Sequence, residues 1–319
     1  MHKNIKMGDI AHFFVQKFKF NILLMLRFYY DIIAYRGNIM RKKLDLAGEV
    51  ERDLNTVLRP TIWTKFVKAV KEFKMIEAGD KIAVCISGGK DSMLLAKLMQ
   101  MLQKISDVPF NLCFISMDPG YNTENRKLIE TNAKNLNIPI EFFETDIFDV
   151  TANVGGNPCY LCARMRRGHL YAKAKALGCN KIALGHHKSD VIETTIMGMF
   201  FSGQIQGMLP RLKSTNFEGM ELIRPLYYVF EEDIIKWRDR NELKFLACAC
   251  KLTAGLAKGD ESSARMKTKE IIANLKKEIP EIEEHILKSL TNCHVDTMIE
   301  YKINGERHNF LEEFENNDK

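Results

Sequence analysis

The chain has 319 residues, 46% of them hydrophobic and 28% charged, with 19 Gly and 8 Pro. That composition excludes a disordered polymer and a collagen-like repeat, and the length allows one large α/β domain or two smaller ones. The net charge is +6, and residues 1–39 carry six Lys/Arg against two Asp/Glu; bulk charge gives no argument for nucleic acid, so a local patch must.

Residues 1–39 are rich in Phe, Ile, Leu and basic residues and read as an extension ahead of a working start near Met40. An amphipathic helix resting on a membrane surface or covering the domain is the alternative reading. The longest apolar stretch, Phe18 to Ala34, is interrupted by Lys19, Arg27 and Asp31, whereas a spanning helix needs about 20 mostly apolar residues. No short apolar segment with a small-residue cleavage site is present. A cytoplasmic protein without an integral membrane partner is therefore expected.

Residues 40–78 read as a helical lead-in. Within it TIWTKFVKAVKEF places Trp63, Phe66, Val67, Val70 and Phe73 on one stripe. The pattern then changes to apolar runs alternating with helical periodicity. Strands are predicted at 81–87, 110–117, 140–146, 181–185 and 221–226. Helices are predicted after residue 90 and over 123–136, 163–178 and 189–201. Gly178 closes the third helix. This alternation implies an α/β fold: a doubly wound, five-stranded parallel sheet over 79–254, with added N- and C-terminal helices. Ligands of such sheets sit beyond the carboxyl ends of the strands, where the strand order reverses. Residues 255–319 read as helices only, ending in a frayed acidic tail, LEEFENNDK.

The strongest local signal is Ser87-Gly88-Gly89-Lys90-Asp91-Ser92, between the first strand and a helix. Two glycines let the backbone turn sharply and bring bare N–H groups to a ligand. The helix start adds unpaired N–H groups and a positive dipole end, and Lys90 adds a cation. The combination suits a phosphate. The spacing is not that of a Walker A loop. Asp91 beside a triphosphate suits a carboxylate that holds Mg²⁺.

Eight cysteines in a chain this long is not disulfide density; paired cysteines in a reducing compartment suggest metal or redox chemistry. Cys159-Tyr-Leu-Cys162 follows a Gly- and Pro-containing loop, and Cys248-Ala-Cys250 follows the fifth strand. Three thiolates with one open position suit a [4Fe–4S] cluster, whereas four, including Cys250, suit Zn²⁺. Cys85, Cys113 and Cys179 read as buried core residues and Cys293 as structural. Arg164, Arg166, Arg167, Lys173 and Lys175 follow the C-x-x-C pair with no acid between them, a local patch for phosphate of ATP or RNA. Gly185-His186-His187-Lys188-Ser189-Asp190, followed by Glu193, stands at the end of the fourth strand. Ser189 or Asp190 could cap the next helix there, and the adjacent histidines make a poor chelate and suit contacts to nucleotide.

SGGKDS resembles the PP-loop of the ATP-pyrophosphatase superfamily. With CYLCARMRRG, KIALGHHKSDVIET, MFFSGQIQGMLPRL and LIRPL in this order, the stretch from about 60 to about 290 is similar to the tRNA 2-thiocytidine synthetase family. The resemblance implies a PP-loop, adenine nucleotide alpha-hydrolase-like fold. It implies that Ser87, Gly88, Gly89, Lys90, Asp91 and Ser92, with Gly185 and Asp190, bind ATP and Mg²⁺. Asp91, Arg166 and Asp190 would carry the chemistry, with Arg167 the alternative to Arg166. Cys159, Cys162 and Cys248 would hold an oxygen-sensitive [4Fe–4S] cluster. The reaction implied is adenylation of O2 of an anticodon-loop cytidine of tRNA, at position 32, and displacement of AMP by sulfur from a cysteine desulfurase. Segment 198–210 is a candidate for gripping the base, and a homodimer is one expected assembly. ACACKLTAG departs from the family's usual Pro-Cys and a second Cys three residues on, so Cys250 competes with Cys248 as the third ligand. Two other readings stand beside this one: a PP-loop enzyme acting on another base or a small molecule, and a non-catalytic iron–sulfur, ATP-binding RNA adaptor.

Overall fold

The computed structural model describes residues 44–145, 158–246 and 264–316, with the side chains of 158–164, 313, 315 and 316 outside that description. The expectations for 1–39, for Cys248 and Cys250, and for the last three residues lie outside the described residues. Val50–Lys319 forms one compact unit.

Helix α1 (Leu46–Asn55) leads through a π-helical turn (Arg59–Trp63) into α2 (Thr64–Glu72). Trp63, Phe66 and Val70 of the predicted stripe are buried. Then come β1 (Lys81–Cys85), α3 (Lys90–Ile105), β2 (Asn111–Asp118), α4 (Thr123–Asn135), β3 (Ile140–Glu144), α5 (Pro158–Ala176), β4 (Lys181–Ala183) and α6 (Lys188–Ser202). Strands β5 (Arg211–Lys213) and β6 (Glu221–Ile223) precede α7 (Glu231–Arg240), α8 (Ala264–Glu278) and α9 (Ile282–Ser289). Strands β7 (Glu300–Ile303) and β8 (Glu306–Asn309) and helix α10 (Phe310–Asn316) close the chain.

The sheet has six strands in the order β3-β2-β1-β4-β6-β5, not five. All neighbours are parallel except β5, which pairs antiparallel with β6, Leu212 opposite Leu222. Arg-Leu-Lys is too short and too polar to announce a strand; it forms because the edge of β6 offers unpaired backbone groups. Two further corrections fall in the last region. Glu300–Asn309 is a hairpin rather than helix, and Phe310–Asn316 is helical where a frayed tail was expected.

Strand β1 is covered on both faces: Ile82, Ala83 and Val84 are fully buried. One face carries a cluster of Cys85, Ile115, Tyr171, Ala174, Cys179, Ile182 and Leu222. Helices α8 and α9 join the domain through Ile272 and Ile286, which pack with Ile192 and Ile196 of α6. The strand order reverses between β1 and β4, which opens a crevice at their carboxyl ends. No helix among the described residues is long and apolar enough to cross a membrane.

Candidate active site

The chain leaves β1 at Cys85 and enters α3 through Ser87, Gly88 and Gly89. Gly88 has φ +82°, and a Cβ there would stand 2.7 Å from Cγ1 of Ile129, so no other residue fits. The loop braces itself. The Ser87 N–H donates to Oγ of Ser92 at 3.1 Å, and that hydroxyl donates to the Gly89 carbonyl at 3.0 Å. Gly89 caps α3 with no side-chain hydrogen bond, which leaves first-turn N–H groups for an anion.

Ser87, Asp91, Ser92, Arg166, Gly185 and Asp190 line one cavity of about 270 Å³ at the carboxyl ends of β1, β2 and β4. Gly185 is required for it to form. A Cβ there would come within 3.0 Å of the Ser92 nitrogen and 3.1 Å of the Asp91 carbonyl carbon, so only glycine lets β4 end against α3. Gly88, Gly89 and Lys90 are not part of the lining. Lys90 turns to Oε1 of Glu231, 3.0 Å away, and lies 3.2 Å from Oδ1 of Asp91.

The residue that caps α6 is His187, not Ser189 or Asp190. Its Nδ1 accepts the Asp190 N–H at 3.3 Å, and Oδ2 of Asp190 accepts the His187 N–H at 3.1 Å. The other ring nitrogen lies 3.8 Å from Oδ1 of Asp91, so one imidazole stands between the two carboxylates. Ser189 instead accepts the Glu231 N–H, which ties α6 to the start of α7. Oδ1 of Asp91 is buried and has no hydrogen-bond donor.

Around these residues runs a ladder of charge. Glu231 meets Lys90 at 3.0 Å and Lys269 at 2.9 Å. Lys269 lies 3.5 Å from Glu193, and Arg265 lies 3.3 Å from Glu193 and 3.6 Å from Asp190. Burial pushes the Glu231 carboxyl up, but Lys269 and Lys90 overrule it and hold the group down at about 2. At Glu193 burial wins and the pKa is raised. Burial opposes the charge of Lys90, yet Asp91 and Glu231 hold its pKa above the usual value.

Of the basic run on α5, Arg166 lines the cavity and also meets the Tyr121 hydroxyl. Arg167 is exposed, and Lys173 pairs with Glu141 at 2.6 Å. Cys159 and Cys162 lie in the first turns of α5, and Cys162 precedes Arg166 by one turn. Leu246, two residues before Cys248, donates its N–H to the Gly88 carbonyl at 3.3 Å. Cys85 and Cys179 are buried as expected. Cys113 is only half-buried, and Cys293 is exposed beyond the end of α9, so neither fits its expected place. Glu231, Arg265, Lys269 and Tyr121 were not singled out by the sequence. Each is an ordinary charged or aromatic residue in its own element and enters the site only through the tertiary fold. Among the described residues no group of three or more His, Cys, Asp or Glu is placed to hold a metal ion.

The fold and this cavity define a nucleotide-binding α/β protein with an anion-cradling loop at the switch point of its sheet. A family profile described as a PP-loop domain matches residues 59–250. Over 241 residues, 75% of this chain and 87% of the relative, the sequence is 34% identical to a tRNA-cytidine(32) 2-sulfurtransferase of Pelobacter propionicus. It is 40% identical over 186 residues to a protein of the same name from Neisseria meningitidis serogroup C, covering 56% of this chain and 57% of that one. Among solved structures it is similar to the U34-tRNA thiolase NcsA from Methanococcus maripaludis with its [4Fe–4S] cluster, with a TM-score of 0.58 and 23% identity. That match covers 76% of this chain and 81% of the other, and it shows the shared fold. The chain belongs to the PP-loop domain family, in the branch of the tRNA-cytidine(32) 2-sulfurtransferases.

Proposed function

We propose that this protein is an ATP-dependent sulfurtransferase that converts a tRNA cytidine, at position 32 of the anticodon loop, to 2-thiocytidine. The observation that carries the reading is the cavity shared by Ser87 and Ser92 of the self-braced loop, the Asp91 and Asp190 carboxylates and Arg166, which stands one turn beyond Cys162. The activity named for the relatives supports the substrate.

In this reading the loop N–H groups and Lys90 take the β and γ phosphates of ATP. The cytosine O2 attacks the α phosphorus, the α–β bond breaks and pyrophosphate leaves. Asp91 and Asp190 would hold Mg²⁺, which when bound would offset the phosphate charge. The buried Oδ1 of Asp91, which accepts no hydrogen bond, fits that role. Arg166 draws off the charge that develops on phosphorus. Sulfur then replaces the O2 oxygen at C2, and AMP departs with it. Cys159, Cys162 and Cys248 would hold a [4Fe–4S] cluster, which when bound supplies an iron without a protein thiolate for the transferable sulfur. Support for this donor set comes from two neighbours of the thiols: Arg166, four residues after Cys162, lines the cavity, and Leu246, two residues before Cys248, bonds to the loop. A cysteine desulfurase supplies the sulfur as a persulfide, two electrons from a thiol reductant bring it to the sulfide level at which it replaces oxygen, and the enzyme acts on tRNA in the cytoplasm, with 79–254 as its working domain.

The test is anaerobic purification of the full chain, followed by incubation with ATP, Mg²⁺, a sulfur source and unmodified tRNA. A brown protein with broad absorption near ~400 nm and 2-thiocytidine in the digested tRNA are expected. Another thionucleoside would redirect the substrate. Bound ATP with no thionucleoside would favour an adaptor, and a colourless protein with stoichiometric zinc would remove the cluster. Cys159→Ala should lose colour and thiolation while it keeps ATP binding.

A further inference from the structure

The LIRPL segment resembles its family, yet the mechanism above gives it no task. Arg224, the first residue after β6, is nine-tenths buried. Its Nε donates to Nδ1 of His186 at 3.3 Å, and Nη1 donates to the Leu209 carbonyl. Among the described residues no carboxylate lies within ion-pair distance of it. Burial lowers its pKa to about 10, with Arg167 adding to the effect and Tyr171, Tyr227 and Asp190 opposing it; it is still a cation at neutral pH. A buried cation without a counter-ion costs several kcal/mol, which is tolerable where an anion is to arrive.

His186 lines the 270 Å³ cavity. Its Nδ1 lone pair is engaged by Arg224, so a neutral ring carries its proton on Nε2. Burial first, then Arg224, His187 and Arg265, against Asp190, bring its pKa down to about 4.

We propose that Arg224 is a positioning residue of the nucleotide cavity. It fixes His186 as a neutral donor with its proton on Nε2, directed to a phosphate oxygen of the bound nucleotide, and it gives that wall a positive charge that no carboxylate among the described residues pairs with. The proposal rests on the reading of the cavity as the ATP site.

The experiment uses the full chain with ¹⁵N-labelled histidine. Long-range ¹H–¹⁵N spectra report each ring's tautomer, and the His186 signals are assigned by their loss in His186→Asn. The expected result is an Nε2–H tautomer that persists from pH 8 to about pH 5, with an Nε2–H shift when ATP is added. In Arg224→Met the tautomers should mix, the titration midpoint should move toward the ordinary value near ~6.5, and the KM for ATP should rise about tenfold. His186→Gln, which offers an amide N–H, should keep most of the ATP affinity that His186→Ala loses. A tie to Leu209 alone predicts none of these changes.

An Nδ1–H tautomer or an imidazolium at pH 7 in the native chain overturns the proposal without any variant. So does Arg224→Met with unchanged His186 signals and unchanged ATP affinity. If Arg224→Met fails to fold, Arg224→Lys keeps the charge but cannot span both partners, and it must show the same tautomer change. A native chain that shows the Nε2–H tautomer but binds no ATP overturns the cavity's assignment and the role proposed for Arg224 with it, while the Arg224–His186 pairing stands.

Discussion

The two ends of the same sheet carry charge in different ways. At the amino end, Lys181 and Asp80 are almost wholly buried and 2.7 Å apart. Lys181 also donates to the Met75 carbonyl, Asp80 accepts from Asn180 and from the Glu77 N–H, and Glu221 stands 3.6 Å from Lys181. Every one of these groups is answered by a neighbour. At the carboxyl end, Oδ1 of Asp91 and Oε2 of Glu193 are buried and accept no hydrogen bond, meeting Lys90 at 3.2 Å and Arg265 at 3.3 Å only as ion pairs, and among the described residues Arg224 is buried with no carboxylate in ion-pair range. Fully hydrogen-bonded buried charge fixes a fold, whereas buried charge with hydrogen-bonding capacity left over at the mouth of a cavity marks where a ligand completes the structure.

The sharpest way to break this contrast is to remove one partner at each end. Asp80→Asn leaves Lys181 buried beside a neutral amide and should cost about 3–5 kcal/mol of stability, measured by urea unfolding. It should leave the ATP affinity of the folded fraction unchanged. Burial raises the Asp80 pKa, but Lys181, Asn180 and the Glu77 N–H hold it below the usual range. Its contribution is therefore complete above the unfolded value of about 3.9 and is lost as pH falls through the folded one. The acid limb of the native stability curve should flatten in the variant.

Asp91→Ala should do the opposite. It removes a carboxylate that no neighbour fully answers, so stability should change by less than about 1 kcal/mol. ATP-dependent thiolation should fall by about 100-fold or more. A large loss of stability with retained turnover would make Asp91 a structural residue and end the contrast.

The carboxyl-end site was only partly legible in the sequence. The Ser87–Ser92 loop could be read because its devices are local: a glycine at φ +82°, a serine that bonds five residues away and a bare helix start, all within one turn. Five strands were legible because each is a continuous apolar run. The sixth was not, because Arg211–Lys213 takes its pairing from β6 and not from its own composition. The charge ladder was not legible either. Lys90 and Glu231 are 141 residues apart, and nothing in EEDIIKWRDR distinguishes an acid that serves a distant lysine from one that simply favours a helix start. His187 shows the same limit, since a histidine is a rare cap and its geometry is set by the Asp190 backbone.

The ladder allows a finer test within the carboxyl end. Lys269 is nearly half exposed and bridges Glu193 and Glu231. Lys269→Met leaves Glu193 with Arg265 and Glu231 with Lys90 as their remaining cations, one positive charge fewer beside the phosphate loop. Added negative charge there opposes a polyphosphate, so ATP affinity should weaken about fivefold, roughly 1 kcal/mol after solvent screening. Adding Glu231→Gln removes one of the two carboxylates that Lys269 bridged and should return most of that loss. A double-mutant cycle on ATP affinity measures the coupling directly; additive effects would mean that the ladder does not act as a unit.

The smallest effect is expected in a second, larger cavity. A groove of about 880 Å³ lies between Ile205–Arg211, α9 and the paired Tyr227 and Tyr228. It exceeds the loop cavity in volume but holds no buried charge of the unanswered kind. One of its polar contacts is the Tyr228 hydroxyl, which donates to Glu72 at 2.6 Å. The rings of Phe73, Tyr227 and Tyr228 pack at centroid distances of 5.2 to 5.6 Å and would stay in place without that hydroxyl. Tyr228→Phe should therefore cost less than about 1 kcal/mol and change ATP affinity by less than about twofold. Volume alone makes this groove the better pocket for a nucleotide, and chemistry makes it the worse one. A shift in ATP affinity beyond about threefold, roughly 0.7 kcal/mol, would favour volume and move the nucleotide site away from the loop.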